Sequence, residues 1–151
     1  MIVTFCGHSD FQETAEYEQK VLAFLEETVG EQPAEMFLGG YGVFDFFAYR
    51  CCKKYQKEHP NIKLVFVTPY MNETYQRNRL NAEQEKYDLT IYPEIENKPL
   101  RFAILYRNRF MVEKADYVVA YITREWGGAF QTYKYAKRKG KSIFCLSEFD
   151  K

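Results

Sequence analysis

Two glycine-rich turns are the features of this sequence best suited to bind a ligand. The first glycine turn is Gly39-Gly40-Tyr41-Gly42, and the second is Gly127-Gly128; each follows a strand-like run and precedes a helix-like run. Glycine lets a backbone approach a ligand closely, and the N–H groups that begin a helix attract anions. The turns therefore predict a site for a phosphate or carboxylate, but they leave open whether a reaction occurs there.

Three charged side chains are the candidates for chemistry at such a site. Arg107 shares a face of a predicted helix with apolar residues, so its guanidinium needs an anion or carbonyl oxygens. It is expected either to clamp a phosphate, or to form an internal salt bridge or extend to solvent. Asp45 and Glu125 are the candidate carboxylates, although Asp45 would also suit the first turn of a helix through its dipole.

The other candidates lie beside the turns or after predicted strands. His8 follows the first strand and could donate to a phosphate or act as a base, although a lone histidine is often structural. Trp126 could stack on a base or cap the core. The full predicted ligand-binding set is Gly7, His8, Gly39, Gly40, Tyr41, Gly42, Asp45, Thr68, Pro69, Tyr70, Arg107, Asn108, Trp126, Gly127, Gly128 and Thr132.

The charge balance favours a small ligand. The 151 residues carry 21 Lys+Arg and 21 Asp+Glu, so the formal net charge is zero. Bulk nucleic acid and anionic membranes are expected to need an excess of cations, so the sequence predicts that neither is a partner. The basic run between Lys134 and Lys141 is interpreted as a solvated helix face. A small anionic ligand is still expected, because one local cation is enough to bind it.

Cysteine spacing and the amino terminus indicate a cytoplasmic protein without a metal or cofactor. Cys6, Cys51, Cys52 and Cys145 form no C-x-x-C pair, so free, mostly buried thiols are expected. Cys6 and His8 could offer two metal ligands, but a structural zinc ion takes four. No apolar run is long enough to span a membrane, and the start resembles a strand rather than a signal peptide.

The apolar periodicity alternates between strand and helix along the whole chain. The predicted strands cover residues 2–6, 35–38, 62–68, 89–92, 116–122 and 142–146. Helices are predicted after capping-box spacings at Ser9/Gln12 and Asp10/Glu13, then from about 43 to 55, 99 to 114 and 128 to 139. Residues 71–86 are predicted to form a loop with a loose helix.

This alternation predicts one doubly wound α/β domain over residues 1–151, a mostly parallel Rossmann-like sheet with helices on both faces. Ligands of such folds bind beyond the carboxyl ends of the strands, at the switch point. The segments after the first, second, third and fifth strands should therefore meet at one edge. The 13 Tyr and 13 Phe are expected mainly in the core, and this aromatic content makes a homodimer plausible.

The order of these segments resembles the SLOG superfamily of Rossmann-like domains, especially its small stand-alone bacterial and phage members. The resemblance covers nearly the whole chain and rests on the spacing of Thr4-Phe5-Cys6-Gly7-His8, Gly39-Gly40-Tyr41-Gly42-Val43-Phe44-Asp45, Arg107-Asn108 with Met111-Val112, and Ala115-Asp116 leading to Gly127-Gly128-Ala129. The superfamily includes the Lonely guy phosphoribohydrolases and the DNA-processing protein of natural transformation. The resemblance implies that the chain binds a nucleotide or a nucleotide-derived ligand.

The sequence departs from the phosphoribohydrolases where their catalysis occurs. In those enzymes an arginine precedes a glycine-rich segment, P-G-G-x-G-T-x-x-E. Arg107 matches the position of that arginine, and Gly127-Gly128 match the glycine pair of the segment. Phe130-Gln131 occupies the G-T place, and Tyr133-Lys134 stands where glutamates are expected. Nucleotide binding is therefore the first hypothesis. The alternatives are an N-glycosidic hydrolase or ribosyltransferase that uses Asp45 or Glu125, and a protein-interaction domain with a vestigial pocket.

Overall fold

The computed structural model describes residues 1–70 and 86–147. In this part of the chain, most strands are followed by an α-helix, and a 3-10 turn covers Leu100–Phe102. The strands are β1 (Ile2–Gly7), β2 (Ala34–Leu38), β3 (Ile62–Val67), β4 (Leu89–Ile91), β5 (Tyr117–Tyr121) and β6 (Ser142–Cys145). The helices are α1 (Ala15–Thr28), α2 (Val43–Glu58), α3 (Ala103–Lys114) and α4 (Gly128–Arg138).

The strands form one parallel sheet in the order β4-β3-β2-β1-β5-β6. The chain first builds outward from β1 to β4, and then returns to the other side of β1 with β5. The direction of winding therefore reverses between β1 and β5, which is the switch point of the sheet. The predicted doubly wound parallel fold is confirmed.

Helices cover both faces of this sheet. Val3 and Phe5 of β1 pack on the side of α1 and α2, whereas Cys6 packs on the side of α3 and α4. Because both faces are covered, the central strands consist of almost continuous apolar runs rather than an alternating pattern. No helix in the described ranges is long and apolar enough to cross a membrane.

The start of α1 differs from the prediction. The helix is capped by Thr14, whose side-chain oxygen accepts a hydrogen bond from the Tyr17 N–H at 3.1 Å. Phe11 is only 3% exposed and packs against the rings of Phe44 and Phe47. The burial of Phe11 keeps the residues before Thr14 out of α1. The helix start predicted from capping-box spacings at residues 9–13 is therefore wrong.

The other predicted elements are present, with shifts of a few residues at their ends. The predicted helix from residue 99 divides into the 3-10 turn and α3, while α2 begins at Val43 as predicted. The loop and loose helix predicted for residues 71–86 lie, except for Lys86, outside the described residues.

Candidate functional site

A cleft of about 310 Å³ lies at the carboxyl edge of the sheet, at the switch point between β1 and β5. The end of β1, the inner face of α3 and the segment between β5 and α4 form its walls. Ten of the predicted ligand-binding residues line this cleft: Gly7, His8, Tyr41, Asp45, Arg107, Asn108, Trp126, Gly127, Gly128 and Thr132.

A smaller side pocket of about 180 Å³ lies over the ends of β2 and β3. Tyr41 and Arg107 line both the cleft and the side pocket, so the two cavities adjoin. The four segments that follow β1, β2, β3 and β5 therefore meet at one edge, as the topology predicts. Four further predicted residues line the side pocket: Gly39, Gly40, Pro69 and Tyr70.

Arg107 ties together the ends of β2 and β3. Its side chain is 2% exposed, and Nη1 donates to the carbonyl oxygens of Gly39 at 2.9 Å and Val67 at 2.7 Å. Its Nε donates to Oδ1 of Asn108 at 2.9 Å. Backbone carbonyls and an amide therefore satisfy much of this buried guanidinium, and the side chain does not extend to solvent.

The first glycine turn is packed against side chains. A Cβ added at Gly39 would lie 3.2 Å from Cζ of Arg107, and one at Gly40 would lie 2.8 Å from Cε1 of Phe66. Gly40 and Gly42 also have φ values of +62° and +95°, which favour glycine. Close packing and positive φ therefore account for the glycines of this turn without a ligand.

Asp45 lies in the first turn of α2 and interacts with the first glycine turn itself. Its Oδ2 accepts a hydrogen bond from the Tyr41 N–H at 2.9 Å. Burial raises the pKa of this carboxyl to about 6, although the Arg107 cation and the Tyr41 hydrogen bond act in the opposite direction. A carboxylate of the chain thus occupies the position at the start of α2 that favours an anion.

His8 joins the two strands at the switch point. The side chain is 2% exposed, and its Nε2 accepts a hydrogen bond from the Thr123 N–H at 3.0 Å. This bond requires a lone pair on Nε2, so the ring is neutral and its proton is on Nδ1. Burial and the Arg124 cation lower the pKa of His8, against an opposing effect of Asp10.

The second glycine turn is open. A Cβ added at Gly127 or Gly128 would meet nothing within 4 Å, and Gly127 has a φ of +95°. Gly127 caps α4, whose first turn contains no acidic residue. The hydroxyl of Thr132 donates to the Gly128 carbonyl at 3.0 Å, one turn into the helix.

Arg124 is a cleft residue that the sequence analysis missed. Its guanidinium carbon lies 4.1 Å from the centroid of the Trp126 ring, and Nη1 pairs with the Asp10 carboxylate at 3.1 Å. Among the described residues, its Nε is buried without a hydrogen-bond partner. A signal was present in the sequence, because this arginine follows β5 in the segment predicted to line the edge and precedes Trp126 by two positions.

Three predicted site residues do not line either cavity. Glu125, a catalytic candidate, is exposed and outside the cleft lining. Thr68 is fully buried, and its hydroxyl donates to the Tyr70 carbonyl at 3.0 Å. Gly42 caps α2 against Ser9. Of the two candidate carboxylates, only Asp45 reaches the cleft.

Comparisons with solved structures support the fold. The chain resembles DNA processing protein A from Helicobacter pylori, whose structure concerns its single-stranded DNA binding mode, with a TM-score of 0.62 and 16% identity. It also resembles DprA from Streptococcus pneumoniae, with a TM-score of 0.64 and 16% identity. Each comparison covers 98% of this chain, but only 66% and 51% of those chains. The likeness shows a shared Rossmann-like fold.

No family model matches the sequence, and no curated protein matches it. The structural comparison nevertheless overturns one expectation, the exclusion of nucleic acid as a partner. A protein with this fold binds single-stranded DNA, and zero net charge is a sum that says nothing about local cations such as Lys134, Lys137 and Arg138 on α4. The homodimer and the single-domain organisation stay predictions.

Proposed function

We propose that the cleft binds a nucleotide or a nucleotide-derived group, with its phosphate at the second glycine turn. The observation that carries this proposal is Arg124, a cation that lines the cleft and has a buried Nε without a partner among the described residues. A buried, unsatisfied guanidinium N–H is costly, and a phosphate oxygen would satisfy it.

The start of α4 supports the position of the phosphate. The first N–H groups of a helix have no partner within the helix and carry a partial positive charge. The first turn of α4 contains no acidic side chain, and its glycine pair borders open space, so an anion can approach the backbone closely. Arg124 would add a full positive charge beside this helix start.

Trp126 supports the position of the base. Its ring is 64% exposed, and the Arg124 guanidinium lies over it. An exposed indole can stack on a nucleobase in a sequence-tolerant way, and a nearby arginine contributes further to such contacts. Arg124 and Trp126 together would hold the phosphate and base of one nucleotide.

The comparisons support the same class of ligand. DNA processing protein A from Helicobacter pylori binds single-stranded DNA, a polymer of nucleotides. We propose that the chain belongs to the SLOG superfamily. Its motifs resemble those of the superfamily, and its Rossmann-like fold is the one expected of a member. The ligand could then be a free nucleotide or one nucleotide unit of a strand.

Fluorescence of Trp126 offers a direct test, because it is the one tryptophan of the chain. Titration with nucleoside 5′-monophosphates and with a short oligodeoxythymidine should quench its emission. Arg124→Gln should weaken the binding by about 10- to 100-fold, the usual effect of losing a charge-assisted hydrogen bond. Arg101→Gln is the matched control, since Arg101 is exposed and outside the cleft lining.

The monophosphate and the oligonucleotide distinguish the two forms of the ligand. Quenching by the monophosphate supports a free nucleotide, and quenching by the oligonucleotide alone supports a strand. The proposal fails if neither compound quenches, or if Arg124→Gln binds as tightly as the wild type.

Asp45 favours N-glycosidic hydrolysis as a second candidate function. It is a carboxyl that lines the cleft, and burial raises its pKa to about 6, which suits proton transfer near neutral pH. This candidate predicts release of free base from a nucleoside monophosphate, measured by chromatography. Asp45→Asn should abolish release while the Trp126 titration stays unchanged; equal release by the variant would exclude Asp45 as the acid or base.

A further inference from the structure

Three potential metal ligands meet at the amino edge of the sheet, at the opposite end from the cleft. Glu26 lies near the end of α1, Glu31 follows in the turn before β2, and His59 caps the end of α2. Their ligand atoms all lie within 4.8 Å of one another. Nε2 of His59 is 3.1 Å from Oε2 of Glu26 and 3.4 Å from Oε1 of Glu31.

The tautomer of His59 is fixed by the backbone. The residue is 8% exposed, and its Nδ1 lies 3.0 Å from the carbonyl oxygen of Tyr55. A carbonyl oxygen only accepts, so Nδ1 carries a proton. The neutral ring therefore keeps its lone pair on Nε2, the atom that faces both carboxylates. Metal-ligating histidines commonly have this second hydrogen bond to a carbonyl.

Tyr55 positions all three ligand-bearing segments. Its ring stacks on that of His59, with centroids 3.8 Å apart and planes 9° apart. Its hydroxyl lies 2.8 Å from the carbonyl oxygen of Gly30, next to Glu31, and 3.2 Å from that of Leu25, next to Glu26. Tyr55 therefore holds the backbone segments that carry the three ligand residues close together.

The charges and distances of the cluster suit a divalent cation. A divalent ion with a neutral imidazole would balance the two carboxylates. Ligand atoms bound tetrahedrally to zinc at about 2.0–2.2 Å are separated by roughly 3.3–3.6 Å, close to the separations of His59 from the two glutamates.

We propose that Glu26, Glu31 and His59 bind one divalent transition-metal ion such as Zn²⁺. One imidazole nitrogen with two carboxylate oxygens suits this class of ion, whereas Ca²⁺ and Mg²⁺ prefer oxygen ligands throughout. The side chains of Glu26 and Glu31 are 62% and 82% exposed, so the ion can enter from solvent and water can complete its coordination. The ion would join the ends of α1 and α2.

Calorimetric titration of the EDTA-treated full chain with Zn²⁺ tests this site, and Co²⁺ absorption spectra report its geometry. We expect one equivalent of Zn²⁺ to bind, and a four-coordinate Co²⁺ spectrum. Glu26→Gln and Glu31→Gln should each weaken binding by at least about tenfold, since each removes a ligand. Glu27→Gln, an exposed neighbour on α1, is the matched control and should bind as the wild type does.

Stability gives a second readout of the same ion. Zn²⁺ should raise the melting temperature of the wild type but not that of the Glu26→Gln/Glu31→Gln double variant. Both glutamates are exposed, so the double variant is expected to fold, which circular dichroism checks. The proposal is overturned if the wild type binds no Zn²⁺, or if the double variant retains the wild-type affinity because another site holds the ion.

Discussion

The first glycine turn is packed, whereas the second is open. Gly39 and Gly40 leave little room for a Cβ because Arg107 and Phe66 lie against them. Gly127 and Gly128 border open space beside Arg124 and Trp126. Both turns cap a helix at the carboxyl edge of one sheet, and both caps have a φ of +95°.

A glycine-rich turn therefore does not by itself identify a ligand site. At α2, the chain supplies its own anion, Asp45, which accepts the Tyr41 N–H. At α4, no acidic residue stands in the first turn, and a cation with a buried Nε lies nearby. Space and local charge therefore favour the second turn for binding, and they favour a structural role for the first.

The largest effect is expected from Arg107, the α3 residue that packs against the first glycine turn. Arg107→Met leaves the buried carbonyls of Gly39 and Val67 without their donor, and should lower the free energy of unfolding by about 3–5 kcal/mol. Arg124→Gln loses an ion pair with the exposed Asp10, and should cost less than about 1 kcal/mol. Urea denaturation measures both values, and similar losses would remove the contrast between the turns.

Alanine in each turn should give the next largest effect. Gly40→Ala combines a positive φ with a contact to Phe66 at 2.8 Å, and should destabilise the fold by about 2–4 kcal/mol. Gly128→Ala enters open space at the start of a helix, and should change stability by less than about 0.5 kcal/mol. Thermal melts of the two variants compare them; a destabilising Gly128→Ala would show that the second turn is also structural.

The Asp45 carboxyl, which accepts a hydrogen bond from the first glycine turn, should make stability depend on pH. The pKa of Asp45 rises from 3.8 to about 6 on folding, so its favourable contribution is complete below 3.8 and is lost as pH rises through 6. Asp45→Asn should therefore gain about 1–3 kcal/mol over the wild type at pH 7 and nothing near pH 3.5. Denaturation at both pH values checks this, and an equal gain at both would contradict it.

His8, near the second glycine turn, should make stability depend on pH in the opposite direction to Asp45, and with a smaller effect. Folding lowers the pKa of His8 because of burial and Arg124, so the unfolded chain binds a proton that the folded chain rejects. Stability from this residue is therefore lost as pH falls below 6.5. His8→Gln should reduce the loss of stability between pH 7.5 and 5, and an unchanged pH profile would contradict this assignment.

The fold could be predicted because its signals are local. Apolar runs and helical periodicity repeat along the chain, and the parallel sheet follows from their alternation. The start of α1 could not be predicted in this way, because Phe11 is buried against Phe44 and Phe47, residues distant in sequence. That tertiary contact overrides the local capping signals of Ser9 and Asp10, and Asp10 instead pairs with Arg124.

The candidate site was predicted only in part, for a similar reason. An arginine on an apolar helix face indicates that Arg107 needs partners, but the Gly39 and Val67 carbonyls lie 68 and 40 positions away in sequence. Sequence spacing cannot show whether an arginine donates to backbone carbonyl oxygens or binds a phosphate. Arg124 belongs to no periodic pattern, and although its place two positions before Trp126 was a signal, its partner Asp10 lies 114 positions away in sequence.

A crystal structure with a nucleoside 5′-monophosphate would distinguish the two glycine turns in one experiment. We expect a phosphate within hydrogen-bond distance of Arg124 and the N–H groups that begin α4, with the base stacked on Trp126. A phosphate at residues 39–42, with Arg107 released from the carbonyls of Gly39 and Val67, would contradict it.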